Sequence, residues 1–168
     1  LKVTTGDYKT AIKLYQDVLD RAKDSSSVFD HVALQGLWRA KTLQGNETGA
    51  TEVWKQAEII LREDAYSNAF GHPRELARLL LERGQEQDLP EAFSLLQSEL
   101  SNRRDSETLE LVAWALMRSN QYQDAQIMIQ EALKQGFQDA GLYYRASLIE
   151  EKLGDTQQAK LYLKHPMT

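Results

Sequence analysis

Three histidines, His31, His72 and His165, are the first residues to test for chemistry. A metal site needs ligands that converge, and none of the three lies three or four residues from another histidine or from a pair of carboxylates on one helix face. They read as solvated loop or cap side chains, so no metal and no cofactor is expected. Acidic pairs such as Asp105 with Glu110, or Glu150 with Glu151, could in principle supply a general acid and base. That chemistry requires an enclosed, desolvated site that drives two carboxyl pKa values apart. The surroundings here are charged, as in Glu150-Glu151-Lys152, and read as solvated helix faces. The absence of cysteine excludes disulfides, thiol catalysis and zinc–thiolate sites. The chain carries no dinucleotide fingerprint, phosphate loop or nucleophile elbow. Gly84-Gln85-Glu86-Gln87-Asp88 has a single glycine and cannot cradle a phosphate. No catalytic residue is expected, and the chain is read as not an enzyme.

The elements that would position any site are helices. Ala125, Met128, Ile129, Ala132 and Leu133 recur at the spacing of one helical stripe, and no stretch alternates as a strand would. The punctuation predicts helices over 7–23, 28–44, 48–66, 73–84, 89–102, 106–119, 122–136, 139–153 and 156–165. The run Asp24 to Ser27 separates the first two. Gly45 and Gly154 close helices because glycine tolerates the left-handed cap. Pro73 and Pro90 sit where a first turn begins, and Ser106 reads as an N-cap.

Small residues recur inside these helices. Ala125 and Ala159 are 34 residues apart, behind Asn120-Gln121-Tyr122-Gln123-Asp124 and Gly154-Asp155-Thr156-Gln157-Gln158. Two further copies end at Ala11 (Gly6-Asp7-Tyr8-Lys9-Thr10) and Ala50 (Gly45-Asn46-Glu47-Thr48-Gly49). A period near 34 with a central turn marks a stacked helix-pair array. On these residues the chain resembles the tetratricopeptide repeat family. The fullest unit has Leu109, Val112, Ala113 and Leu116, then Tyr122, Ala125, Ile129, Ala132 and Leu133. The next keeps Tyr143, Ala146, Ser147, Gly154, Ala159 and Leu163, with Glu150 where the family has an aromatic. Upstream, Leu34, Leu37, Gly45, Ala50, Trp54, Ala57 and Leu61 fit, but Trp38 stands where the family has a small residue, and Gly49 and Ala50 are expected to absorb its bulk. The resemblance implies an all-α, right-handed superhelical solenoid of antiparallel helix pairs. One array over 1–168 is expected, with a partial unit 1–27, then 31–64, an irregular unit 73–105, and 106–139 and 140–168. The opening helix reads as the second of a pair, and Pro166 cuts the last one short. The chain therefore reads as a fragment of a longer protein.

In this family the first helices of the pairs line a concave groove. The resemblance assigns to that groove Glu110, Trp114, Met117 and Arg118, then Tyr144 and Leu148 one period on, and Gln35 and Arg39 upstream. Aromatic, arginine and apolar residues together have the composition of a binding hot spot. Trp114 and Tyr144 are the expected anchors, with Arg39 and Arg118 steering; Arg74 and Arg78 are candidates for the same groove. Family members that grip acidic chaperone tails use lysine and asparagine there, and this row has neither. The expected function is a non-catalytic scaffold that binds a peptide or helix of a protein partner. The alternatives are self-association through the terminal helices, giving a homo-oligomer, and an accessory role in a larger enzyme or membrane-anchored assembly. The net charge of −5 and pI near 5.3 disfavour nucleic acid. No apolar run approaches the ~18 residues of a membrane span, so no membrane insertion of this segment is expected. Composition leaves the compartment open, with cytoplasm favoured over a periplasmic or tethered setting.

Overall fold

The computed structural model describes residues 5–21, 30–65, 73–137 and 139–164. These contain nine α-helices and no strand. They are α1 (Tyr8–Arg21), α2 (Asp30–Leu43), α3 (Glu47–Ala65), α4 (Pro73–Arg83), α5 (Leu89–Asn102), α6 (Ser106–Arg118), α7 (Tyr122–Lys134), α8 (Ala140–Leu153) and α9 (Thr156–Leu163), with a 3₁₀ turn at Glu86–Asp88. The turn expected at Asp24–Ser27, the ends of four predicted helices, His72, His165 and Pro166 lie outside the described residues. The fold is all-α, built from stacked helix pairs of tetratricopeptide-like form.

The recurring alanine explains why the pairs repeat. Ala11, Ala50, Ala92, Ala125 and Ala159 each occupy the fourth position of α1, α3, α5, α7 and α9, and all five are buried. In α3, α5, α7 and α9 a methyl group there suits close packing on α2, α4, α6 and α8. A larger side chain at Ala125 would overpack the contact, at a cost of about 1–3 kcal/mol. The irregularity expected around Ala92 therefore lies in the connections, where the 3₁₀ turn intervenes, and not in α5. The turns repeat a second device. Gly6, Gly45 and Gly154 adopt left-handed φ of 76°, 83° and 89°. The next residue then caps the following helix: Asp7 accepts from the Thr10 N–H, Asn46 from Gly49 and Asp155 from Gln158. Asn120 takes the left-handed place in the α6–α7 turn.

Contacts divide the chain into two compact units, Leu1–His72 and Pro73–Thr168. In the first, α2 packs against both α1 and α3. Close approach of α1 and α2 is made at Gly36, where any Cβ would collide with the Tyr15 ring. Gly49 instead faces the Asn46 side chain, and Trp38 is half-buried. His31 is buried in α2 rather than solvated, because it falls on the face that α2 turns inward with Leu34.

In the second unit each helix packs on the next in sequence, and α4 with α6, and α6 with α8, also touch. These are the first helices of successive pairs. α6 lies between α4 and α8 and is buried along most of its length, including Leu109, Leu111, Val112, Ala113 and Leu116. Its N-cap is Asp105, which accepts from the Thr108 N–H at 2.8 Å, and not Ser106. Ser106 is the first helical residue, and its hydroxyl donates to the Ala132 carbonyl of α7. The carboxylate is the stronger acceptor for the helix's free N–H groups.

Candidate functional site

The first helices of the second unit are laced by arginines. From α4, Arg74 reaches Asp105 at 3.3 Å and Glu107 at 3.0 Å, and Arg78 reaches Glu107 at 2.5 Å. At the other end of the same two helices, Arg118 of α6 donates to the carbonyls of Leu81 (3.2 Å) and Gly84 (2.7 Å). Those carbonyls lie at the C-terminal end of α4, where helical acceptors lack partners and the helix dipole favours a cation. From α8, Arg145 forms an ion pair and hydrogen bond with Glu110 of α6, and its guanidinium carbon stands 4.1 Å from the centre of the Trp114 ring. Ion pair and cation–π contact together fix one guanidinium on two α6 residues one helical turn apart.

Beside this lacing lies a cleft of about 600 Å³, lined by Arg78, Asp105, Ser106, Glu107, Glu110, Gln135, Phe137 and Asp139. It is framed by α4, the N-terminal half of α6 and the α7–α8 connection. Phe137 in that connection is 62% exposed. Gln135 anchors the connection by donating to the Arg104 carbonyl at 2.7 Å. Asp139 caps α8, one oxygen accepting from the N–H groups of Gly141 and Leu142. Gly141 leaves room for two of these side chains. A Cβ there would fall 2.9 Å from Asp139 Oδ1 and 3.2 Å from Arg145 Nη1.

Glu110 and Glu150 correct the expectation of solvated acidic faces, as they are 6% and 2% exposed. Each is neutralised or bonded from a helix distant in sequence: Glu110 by Arg145, Glu150 by the Gln126 amide at 2.8 Å. Burial pushes the Glu110 carboxyl above the ordinary range, a rise to which nearby Asp139 adds, against the opposing pull of Arg145 and Arg78. Asp105 goes the other way. Burial raises it, but the Thr108 N–H with Arg74 and Arg103 outweigh that and hold it low.

The expected groove residues of α6 and α8 occupy different environments. Tyr144 is 56% exposed. Trp114, Met117 and Leu148 are half-buried, Trp114 beneath the Arg145 guanidinium. Arg118 is engaged on backbone carbonyls, and Arg74 and Arg78 on carboxylates. In the first unit Arg39 is exposed on α2. Gln35 there is half-buried, with its amide nitrogen buried and, among the described residues, without a hydrogen-bond partner. Arg145 was not among the expected residues. It lies 35 positions after Glu110, one beyond the period, with opposite charge; that pairing of signs is the signal by which it could be found. Among the described residues no group of three or more histidine, aspartate or glutamate side chains is arranged to hold a metal ion, and no helix is long and apolar enough to cross a membrane.

No protein-family model and no curated protein matches the chain. Among solved structures, that of BtubC (BKLC) from P. vanneervenii aligns with a TM-score of 0.54 at 18% identity, over 96% of this chain and 72% of that one. A crystal structure of MamA aligns at 0.46 and 20% identity, over 97% of this chain and 88% of that one. A MamA RS-1 double mutant aligns at 0.49 and 14%, over 96% and 84%. At such identities the likeness concerns the fold alone. The BtubC match, with the highest of these three scores, is the one that bears on it.

Proposed function

We propose that this chain is a non-catalytic protein-interaction module, and that the first-helix face of its second unit receives a segment of a protein partner. The observation that carries this reading is Tyr144, a large aromatic more than half exposed on α8, one residue before the Arg145 that covers Trp114. Met117 and Leu148 add half-buried apolar surface on α6 and α8. Aromatic anchors held by packed neighbours carry most of the binding energy in protein interfaces. Arg118, which sequence alone would assign to steering a ligand, is here engaged on the carbonyls of Leu81 and Gly84.

The test uses peptides selected from a randomised library displayed against this chain. Binding is followed by amide NMR. Signals of α6 and α8 near Trp114, Tyr144 and Leu148 are expected to shift. Tyr144→Ala is expected to weaken binding about tenfold while thermal stability stays unchanged, since the side chain is exposed. Shifts confined to α5 and α7 would place any ligand elsewhere and refute the reading.

A further inference from the structure

We propose that the exposed apolar face of α1 is a self-association surface, on which α1 of a second copy of this chain packs antiparallel with Leu14 opposite Leu14. The surface belongs to the first unit, and the proposal does not rest on the reading of α6 and α8 as a partner face.

The repeat register marks this face as one built to pack on a helix. Leu14 and Val18 stand three and seven places after Ala11, and they are 52% and 48% exposed. The same two places hold Val53 and Ala57 in α3, and Leu95 and Glu99 in α5, and all four are buried. Those helices each pack on the first helix that precedes them, α2 and α4. Among the described residues no helix precedes α1, and its Tyr15 side is turned to Gly36 of α2. Two aliphatic side chains one turn apart are thus left half in water, and removing them from it is favourable.

Charge decides which helix fits. Asp7, Thr10, Leu14, Val18 and Arg21 follow one another at spacings of 3, 4, 4 and 3, so they fall on one helical stripe that is symmetric about Leu14. Its two ends carry opposite charges, Asp7 at the N-cap and Arg21 in the last turn. Two copies laid antiparallel about Leu14 therefore bring Asp7 of each to Arg21 of the other, and Val18 of each to Thr10 of the other. A parallel pair would set like charges together at both ends. Asp7 caps α1 by accepting the Thr10 N–H, and a carboxylate has room for further donors, so the ion pair does not cost the cap. An unrelated apolar helix would cover Leu14 and Val18 and leave the charged ends unanswered; the chain's own α1 answers both. This isologous contact closes on itself, giving a dimer and not a filament.

The test is sedimentation of the chain from about 10 µM to about 1 mM, the range in which a small one-helix interface associates. The mass is expected to rise toward that of a dimer. Leu14→Glu should weaken the dimer about tenfold or more, and so should Arg21→Glu, which sets negative ends together. Both positions are exposed, and circular dichroism checks that each variant stays folded; should Leu14→Glu unfold, Arg21→Glu and cross-linking decide. Cross-linking reads the register, because the chain has no cysteine. Leu14→Cys should oxidise to a covalent dimer, whereas Ile127→Cys, at a comparably exposed place on α7, should not. A chain that stays monomeric over that range, a dimer indifferent to both charge variants, or equal oxidation at the two cysteine positions overturns the proposal. So does a monomer in which a library peptide shifts the α1 signals, since the face would then belong to a foreign helix. None of these outcomes bears on the reading of α6 and α8.

Discussion

Between α4 and α6 the arginine ties are several, made to half-exposed carboxylates or to backbone carbonyls, and placed at both helix ends; between α6 and α8 one pair is made, and its carboxylate is buried. Arg74 and Arg78 meet Asp105 and Glu107, whose side chains are half-exposed, and Arg118 meets carbonyls at the opposite end. The Arg145–Glu110 pair is enclosed and backed by Trp114. The difference separates two kinds of stabilisation. Half-exposed pairs in solvent are worth about 0–1 kcal/mol and are screened by salt. A buried pair is nearly neutral when intact and severe when broken, because one charge is then left without water or partner. The α6–α8 joint therefore depends on both residues being present, whereas the α4–α6 joint loses strength gradually.

The largest effect should follow from breaking the buried pair on one side. Arg145→Ala leaves Glu110 unpaired and should lower stability by about 3 kcal/mol in chemical denaturation. Next comes Arg118→Ala, which strips two carbonyl acceptors at the end of α4. About 1–2 kcal/mol is expected, together with faster hydrogen exchange in the last turn of α4 and none of this change in α8. The pH dependence of the two carboxylates should then run in opposite senses. Glu110 holds its proton more tightly folded than unfolded, so its contribution is fully present below the ordinary 4.5 and is lost as pH rises through its folded value. Asp105 is held low, so its contribution is present above the ordinary 3.8 and is lost as pH falls. The destabilisation by Glu110→Gln should therefore shrink as pH rises, and that by Asp105→Asn should shrink as pH falls, in denaturation midpoints taken stepwise across the acid range. The smallest effect belongs to Arg74→Ala, under about 1 kcal/mol and erased by high salt.

The fold was legible because its determinants are local. Asp7, Asn46, Asp105, Asp139 and Asp155 cap the helices that follow them, glycines take the left-handed place in most of the described turns, and each second helix carries its alanine at the same position. Ala92 obeys that rule too, although uneven spacing on either side of it disguised the match. The site was legible only in outline. A shift of one period from Glu110 lands on Tyr144, yet the residue that meets Glu110 is Arg145, because a long side chain reaches across helices off the strict period. The pairs joining α4 to α6 span 29 to 37 residues. Such offsets depend on side-chain reach as much as on repeat length. Glu110 and Glu150 looked solvated because their partners lie on other helices. In Ser106, the right element was found and the cap misplaced by one residue.

Glu110 and Arg145 tie α6 to α8. A double-mutant cycle with Glu110→Gln and Arg145→Met, read by urea unfolding, tests that tie most directly. A coupling energy of about 2 kcal/mol or more is predicted, against no measurable coupling for the same cycle on the exposed pair Arg104 and Glu131. Equal and negligible coupling in both cycles would contradict the account.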